Sequence, residues 1–112
     1  MVAVGNYMDV PVSSMEQTLT HFRGLPHRLE HVDTKKGIRF YDDAISTTPE
    51  STMAAISAIH DTETIFLGGS DRGYNFEKLA ERISQSSIRN IVFFPDTGKR
   101  IKECLMSICT NF

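Results

Sequence analysis

The sequence predicts an α/β fold with a mostly parallel sheet and an antiparallel hairpin near the N-terminus. Two short apolar runs, at residues 64–67 and 91–94, end at glycine or proline, as expected of strands covered on both sides. The predicted strand ends at Asp43, Gly69 and Pro95 lie about 26 residues apart, the length of one βα unit. We therefore expect a three-layer, Rossmann-like domain with three parallel strands in its core.

Helical patterns separate these strands. Apolar residues recur at i, i+3, i+4 and i+7 from Phe76 and again from Ile101, which indicates two amphipathic helices. Thr48, Pro49 and Glu50 are typical of a helix start, because they supply a hydroxyl cap, a proline at the first helical position and an acid in the first turn.

A helix and a hairpin are expected in the first 40 residues. The S-x-x-E pattern that begins at Ser13 predicts a capping box and a short helix over residues 14–22. Apolar residues at 29, 32, 38 and 40 then follow a strand pattern, with a turn near residues 35–37.

Composition limits the class of protein. The chain has 112 residues, 40% hydrophobic and 23% charged, and a net charge of −2, which predicts one soluble domain without a nucleic-acid-binding face. It has no apolar run of the roughly 20 residues that cross a bilayer and no signal sequence, so we expect a cytoplasmic protein. Cys104 and Cys109 are expected to be reduced packing residues.

The last predicted helix is followed by no strand, which suggests a domain truncated at its C-terminus.

Several polar residues follow the predicted strand ends, where ligands bind in parallel sheets. Asp42 and Asp43 are either a functional pair or loop and capping acids. His27 and Arg28 precede a strand, and Arg28 either binds a phosphate or carboxylate or forms a salt bridge with Glu30. The His27/His31 pair has helical metal spacing in a predicted strand and lacks a third ligand, so we expect no metal site.

Two further candidates are Arg72, which could hold a small carboxylate from its turn, and Thr47, which precedes a helix start that attracts anions. The alternative is a solvated turn residue and a second capping hydroxyl. Neither a GxxxxGK[ST] phosphate loop nor a GxGxxG fingerprint is present in the sequence, so any nucleotide phosphates are held elsewhere.

Three motifs together carry a family resemblance. They are GLPHRLE at residues 24–30, DDAISTTPEST at 42–52 and FLGGSDRG at 66–73. In these motifs the chain resembles the C-terminal domain of the Mur ligase family, and most closely its glutamate-adding group. The resemblance implies that residues 1–24 are the helical end of the central ATPase domain and that 25–112 are an incomplete C-terminal domain.

The resemblance also implies an activity, in which ATP with Mg²⁺, bound mainly by the central domain, drives amide formation through an acyl phosphate. Its substrates would be UDP-N-acetylmuramoyl-L-alanine and glutamate, in peptidoglycan precursor synthesis. The isolated chain is expected to be inactive, with no catalytic residue of its own. The alternative is a non-catalytic phosphoacceptor or nucleotide-binding module.

Site residues follow from the same resemblance. His27, Arg28 and Asp43 match positions that face the nucleotide, whereas Thr47 and Arg72 match positions that hold the side-chain carboxylate of glutamate. Arg72 replaces a lysine of many relatives. Ile45 also stands where many members of the glutamate-adding group have a functional lysine, and the family's serine-rich segment that binds the α-carboxylate is not in the sequence.

Overall fold

The structure is a computed structural model that describes residues 2–108, and within that range the chain forms five helices and four strands. In chain order these are α1 (Val2–Tyr7), α2 (Val12–His21), β1 (Glu30–Lys35), β2 (Ile38–Asp42), α3 (Pro49–Ala58), β3 (Thr64–Gly69), α4 (Glu77–Ser84), β4 (Asn90–Asp96) and α5 (Thr97–Ile108). β1 pairs with β2 antiparallel, and β3 pairs with β4 parallel. The predicted α/β class, with its hairpin and its parallel strands, is confirmed.

The position of β2 differs from the prediction. We expected β2 to be the first of three parallel strands, but among residues 2–108 it pairs only with β1, and the parallel sheet contains β3 and β4 alone. The even spacing of strand ends reflects the length of a βα unit, but it does not determine which strands pair with each other. Because a two-residue turn closes β1 onto β2, that pairing carries a small loop-closure cost.

The hairpin turn lies at Lys36 and Gly37, as the sequence predicts. Both residues have positive φ, 53° and 80°, which is the requirement of a type I′ turn and matches the twist of the paired strands. The register is regular from this turn to the pair of Asp33 with Phe40, and then shifts between Asp33 and His31. All six residues of β1 are exposed, so backbone pairing rather than side-chain burial supports this hairpin.

The hydrophobic core lies between α3, α4 and α5 and one face of the parallel sheet. α4 packs against α3 and α5, and α5 packs against both strands. The two amphipathic helices predicted from apolar spacing are therefore confirmed. The buried apolar residues are Ile56, Leu67, Phe76, Leu79, Ala80, Ile83, Ile88, Ile101 and Leu105. Cys104 is partly buried against this core, as expected, whereas Cys109 lies outside the described residues.

The other face of the parallel sheet is exposed in the described part of the chain. Phe66 and Phe94 stack there with ring centres 6.1 Å apart and remain 62% and 52% exposed, and Val92 is 41% exposed. We predicted strands covered on both sides, and residues 2–108 supply a helical layer on one side only. Alternation within each strand explains the result, because successive side chains point to opposite faces.

The N-terminal helices form a separate pair. Within residues 2–108, α1 and α2 contact each other and no other helix or strand, and the radius of gyration is 17.4 Å against about 13 Å for a compact chain of this length. α2 confirms the predicted helix, but its capping box is wrong. The helix starts earlier, at Val12, so Pro11 takes the N-cap position without a side-chain hydrogen bond.

The N-terminus of α3 confirms its predicted cap. The Thr48 hydroxyl accepts a hydrogen bond from the Ser51 N–H at 3.3 Å, while the Ser51 hydroxyl accepts one from the Thr48 N–H at 3.3 Å. Pro49 occupies the first helical position and is buried. No helix in the described range is long and apolar enough to span a membrane.

A pair of substitutions on α5 tests the core. Leu105 is 5% exposed and its neighbour Met106 is 64% exposed. We expect Leu105→Ala to lower the free energy of unfolding by about 2–5 kcal/mol through the lost burial and the cavity that remains. Met106→Ala should change it by less than about 0.5 kcal/mol. Urea unfolding followed by circular dichroism measures both, and similar losses for the two variants would contradict this packing.

Candidate functional site

His27 connects the loop after α2 to the end of β2. Its Nδ1 lies 2.8 Å from Oδ2 of Asp42, and its backbone N–H donates to the Glu30 carboxylate at 2.8 Å. The His27 carbonyl accepts a hydrogen bond from the Ile45 N–H at 3.1 Å. His27 has a positive φ of 59°, a conformation that is uncommon for a residue with a side chain. Side-chain and backbone contacts together therefore hold the imidazole beside the strand end.

The contact between His27 and Asp42 shifts both groups toward their charged forms. The hydrogen bond to Asp42, followed by its charge, raises the pKa of His27 above its ordinary value. The same hydrogen bond, followed by one from the Ala44 N–H, lowers the pKa of Asp42. The His27 side chain is 60% exposed, so the pair presents a cationic ring to solvent over a wider pH range than an isolated histidine would.

Asp43 organises the loop that follows β2. Its Oδ1 accepts a hydrogen bond from the Leu29 N–H at 2.9 Å, and its Oδ2 accepts one from the Ser46 hydroxyl. Both acids after the strand thus bind loop donors, since Asp42 also accepts from the Ala44 N–H at 2.9 Å. The structure therefore shows contacts that fit the alternative interpretation, in which Asp42 and Asp43 are acids that stabilise the loop. The predicted role of Asp43 toward a nucleotide stays a prediction.

Arg28 and Thr47 flank this loop on the surface. Arg28 is exposed and follows His27 directly, so it lies beside the His27–Asp42 contact. Thr47 is exposed immediately before the capped start of α3, where backbone N–H groups and the helix dipole favour an anion. Because Thr48 supplies the cap, the Thr47 hydroxyl is not needed for that purpose.

Arg72 lies in the turn between β3 and α4. β3 ends before this turn with Gly68 and Gly69, whose φ angles of 147° and 133° are in a region that L side chains rarely adopt. The Gly69 carbonyl accepts a hydrogen bond from the buried hydroxyl of Thr97 at 2.9 Å. The Arg72 side chain is exposed, while its neighbour Asp71 forms an ion pair with Arg100.

The predicted site residues form two groups. His27, Arg28 and Asp43 share one loop cluster at the base of the hairpin, with Thr47 at its far end, and Arg72 lies beyond β3. Within the described residues no hydrogen bond or ion pair joins Arg72 to the first group, and β2 does not pair with β3. Each group is therefore held by its own local contacts.

Sequence reasoning selected Asp42 but not its contact with His27, and it missed both Asp71 and its partner Arg100. Asp71 has a local signal, since an Asp two residues before a glycine is typical of an Asx turn, and its Oδ1 accepts from the Gly73 N–H at 2.8 Å. Arg100 has no such local signal, because it lies 29 residues after Asp71 in the chain. In the described part of the chain no group of three or more His, Cys, Asp or Glu residues could hold a metal ion.

Comparison with known proteins gives relatives over nearly the whole chain, although no protein-family model matches it. Two relatives from Streptococcus pneumoniae, strains Hungary19A-6 and CGSP14, are 33% identical over 102 residues, which is 90% of this chain and 22% of each relative. One from Caldanaerobacter subterraneus subsp. tengcongensis is 31% identical over 101 residues, with the same coverage. This chain thus spans about a fifth of the length of the relatives it matches. All three bear one name, so the family resemblance of the three motifs is confirmed: over nine-tenths of its length, this chain is homologous to a segment of UDP-N-acetylmuramoylalanine--D-glutamate ligase.

Proposed function

We propose that this chain is part of an ATP-dependent ligase that adds glutamate to UDP-N-acetylmuramoyl-L-alanine during peptidoglycan precursor synthesis. The observation that carries the proposal is the similarity to named ligases over 90% of the chain. Within the parent enzyme, residues 1–24 would end the central ATPase domain and residues 25–112 would belong to the C-terminal domain. The isolation of α1 and α2 from the other elements among residues 2–108 supports that division.

The proposed reaction needs two activations, and this chain contributes to their surroundings. A carboxylate of the nucleotide-linked substrate takes the γ-phosphoryl group of ATP, and the amine of glutamate then attacks the acyl phosphate and releases inorganic phosphate. Positive groups stabilise the charge that is transferred in such a step. The described residues offer no metal cluster, and the sequence has no phosphate loop, so Mg²⁺ and the ATP phosphates would be held mainly by the central domain.

On the nucleotide side we assign His27, Arg28 and Asp43. Asp42 favours the cationic imidazole of His27, and the exposed Arg28 follows it, so two consecutive residues of this loop carry positive groups. Asp43 would act by ordering the loop through the Leu29 N–H and the Ser46 hydroxyl. This arrangement suits contact with phosphate or ribose oxygens when the domains close.

On the amino-acid side we assign Thr47 and Arg72 to the side-chain carboxylate of glutamate. The planar guanidinium of Arg72 can donate two parallel hydrogen bonds to a carboxylate, which an ammonium group cannot do in the same geometry. Thr47 adds a hydroxyl at the positive end of α3. Ile45 is 42% exposed and supplies no charge, so the grip would depend more strongly on Arg72 than in relatives with lysine at that position.

The contacts of the acid pair disfavour the alternative function as a phosphoacceptor module. A phosphoacceptor aspartate needs a free carboxylate oxygen at the end of a strand. Both oxygens of Asp42 and both of Asp43 accept hydrogen bonds or an ion pair from neighbouring loop groups. These contacts engage both acids in ordering the loop, which disfavours a phosphoacceptor role.

We expect the isolated chain to neither hydrolyse ATP nor join glutamate to an acceptor. Its sequence has no phosphate loop, and its described residues include no cluster that could bind a metal ion. Phosphate release is measured with purified chain, ATP, magnesium, UDP-N-acetylmuramoyl-L-alanine and glutamate. A pneumococcal relative serves as the positive control. Turnover above background that is retained through further purification would contradict the proposal.

Arg72→Ala in the complete ligase should raise the KM for glutamate by about one to two decades and leave the KM for ATP nearly unchanged. A charge-assisted hydrogen-bond contact contributes roughly 1.5–3 kcal/mol, which gives that range. Arg72→Lys is the matched variant and should restore part of the affinity, since the charge remains. Steady-state kinetics with each substrate varied in turn separate the effects. Equal losses for ATP and glutamate would show that Arg72 acts on domain closure.

The His27–Asp42 pair should have a defined pH window. The raised pKa of His27 means that its contribution to stability is complete below the ordinary value of 6.5 and is lost as pH rises through the folded-state pKa. The lowered pKa of Asp42 means that its contribution is complete above 3.8 and is lost as pH falls through its folded-state pKa. The loop at the base of the hairpin should therefore be best ordered between these two ordinary values.

Nuclear magnetic resonance of the His27 ring measures this effect directly. The titration midpoint should lie above 6.5 in the native chain and fall toward it in Asp42→Asn. Asp33→Asn is the control, because Asp33 lies further along the hairpin, opposite Phe40, and should leave the midpoint unchanged. A midpoint that is the same in the native chain and in Asp42→Asn would mean that the pair does not form in solution.

A further inference from the structure

Arg100 holds the turn between β3 and α4 at two points. Its Nη1 donates to Oδ1 and Oδ2 of Asp71 at 2.5 and 2.7 Å, and its Nη2 donates to the Tyr74 carbonyl at 2.9 Å. The guanidinium lies 5.2 Å from the centre of the buried Phe76 ring, a distance at which a cation is attracted to an aromatic face. α5 thus fixes both the acid of the turn and its backbone.

Asp71 precedes Arg72 in the chain, and this adjacency creates a competition. Without a partner of its own, the Asp71 carboxylate could pair with the neighbouring Arg72 and occupy the donors that a ligand carboxylate needs. The Gly73 N–H and then Arg100 lower the pKa of Asp71, which favours the ionised carboxylate and leaves it ready to pair with a cationic partner. In the structure that partner is Arg100, and no hydrogen bond or ion pair of Arg72 is present among the described residues.

The start of the turn is fixed by α5 as well. The buried Thr97 hydroxyl donates to the Gly69 carbonyl, so contacts from α5 lie on both sides of Arg72. Thr97 and Arg100 are three residues apart, which puts them on the same side of the helix. The turn therefore has two anchored ends and one exposed cation between them.

We propose that Arg100 is a positioning residue that keeps the Asp71 carboxylate away from Arg72, so that Arg72 stays available for the carboxylate of the incoming amino acid. The identity of that ligand rests on the proposed function. Whether Asp71 pairs with Arg100 or with Arg72 does not depend on it. Two arginines and one aspartate leave a net positive charge at this turn. Loss of Arg100 would let Asp71 neutralise Arg72 within the turn itself.

The test follows the Arg72 Nε–Hε resonance of the full chain between about pH 2.5 and 6, the range in which an aspartate titrates. In the native chain this resonance should not titrate with Asp71. In Arg100→Gln it should acquire an acid-range titration, because Asp71 then pairs with Arg72. In the double variant Asp71→Asn/Arg100→Gln the titration should disappear again. A merely structural role of Arg100 would not produce this gain and loss.

Two further variants keep the test decisive. Arg100→Lys retains a cation on α5 without the planar fork and should give an intermediate titration, and it is measurable if Arg100→Gln unfolds. Lys99→Gln removes an exposed neighbouring cation and should leave the Arg72 resonance as in the native chain. An acid-range titration of Arg72 in the native chain, or none in either Arg100 variant, would overturn the proposal. Persistence in the double variant would show that a carboxylate other than Asp71 acts on Arg72 and would also overturn the proposal.

Titration of the complete ligase with glutamate separates this proposal from the proposed function. The affinity for glutamate should fall about tenfold in Arg100→Gln, because Asp71 then competes for Arg72. It should recover in the double variant, which lacks the Asp71 carboxylate. Equal affinity in all three proteins would overturn the role of Arg100 and leave the glutamate assignment standing. No response of Arg72 to glutamate in any of them, with the pH behaviour as expected, would overturn the glutamate assignment and support the role of Arg100.

Discussion

Burial of aliphatic side chains from α4 and α5 against the inner face of β3 and β4 is the interaction on which the described fold depends. Leu79 and Ile83 are almost completely buried there. The start of α5 comes so close to the sheet that a β-carbon at Gly98 would lie 3.1 Å from Cβ of Phe93. That close approach puts Thr97 and Arg100 within reach of the turn after β3, so the packing of the core also determines the geometry around Arg72.

The hairpin and the N-terminal helices depend on different interactions. The hairpin is maintained by a type I′ turn and backbone pairing, and the His27–Asp42 and Asp43–Leu29 contacts fasten the preceding loop to its end. These local contacts hold His27, Arg28 and Asp43 together as a unit. They bury little apolar surface, and they do not place this unit against β3. In our proposal, approach of the two groups of site residues belongs to the assembled ligase.

Local patterns in the sequence predicted those features that local physics determines. The start of α3 was predictable because Thr48, Pro49 and Ser51 interact within one helical turn, and the core helices were predictable because apolar spacing reports a buried face. The partner of β2 was not, since edge pairing depends on contacts far apart in the chain. The same holds within the site: Arg72 could be selected from its turn, whereas the neighbouring contact between Asp71 and Arg100 joins residues 29 positions apart in the chain.

The two glycines that end β3 differ in the substitutions they can accept. At Gly69 a β-carbon would meet no atom within 4 Å, so alanine there would encounter only the strain of a positive φ. At Gly68 the same β-carbon would lie 2.6 Å from the Phe94 carbonyl oxygen, so alanine would also force the backbones of β3 and β4 apart. In a library of random variants, Gly68 should therefore be the more restricted of the two positions. Its restriction would arise from sheet geometry and would occur even without selection for ligand binding.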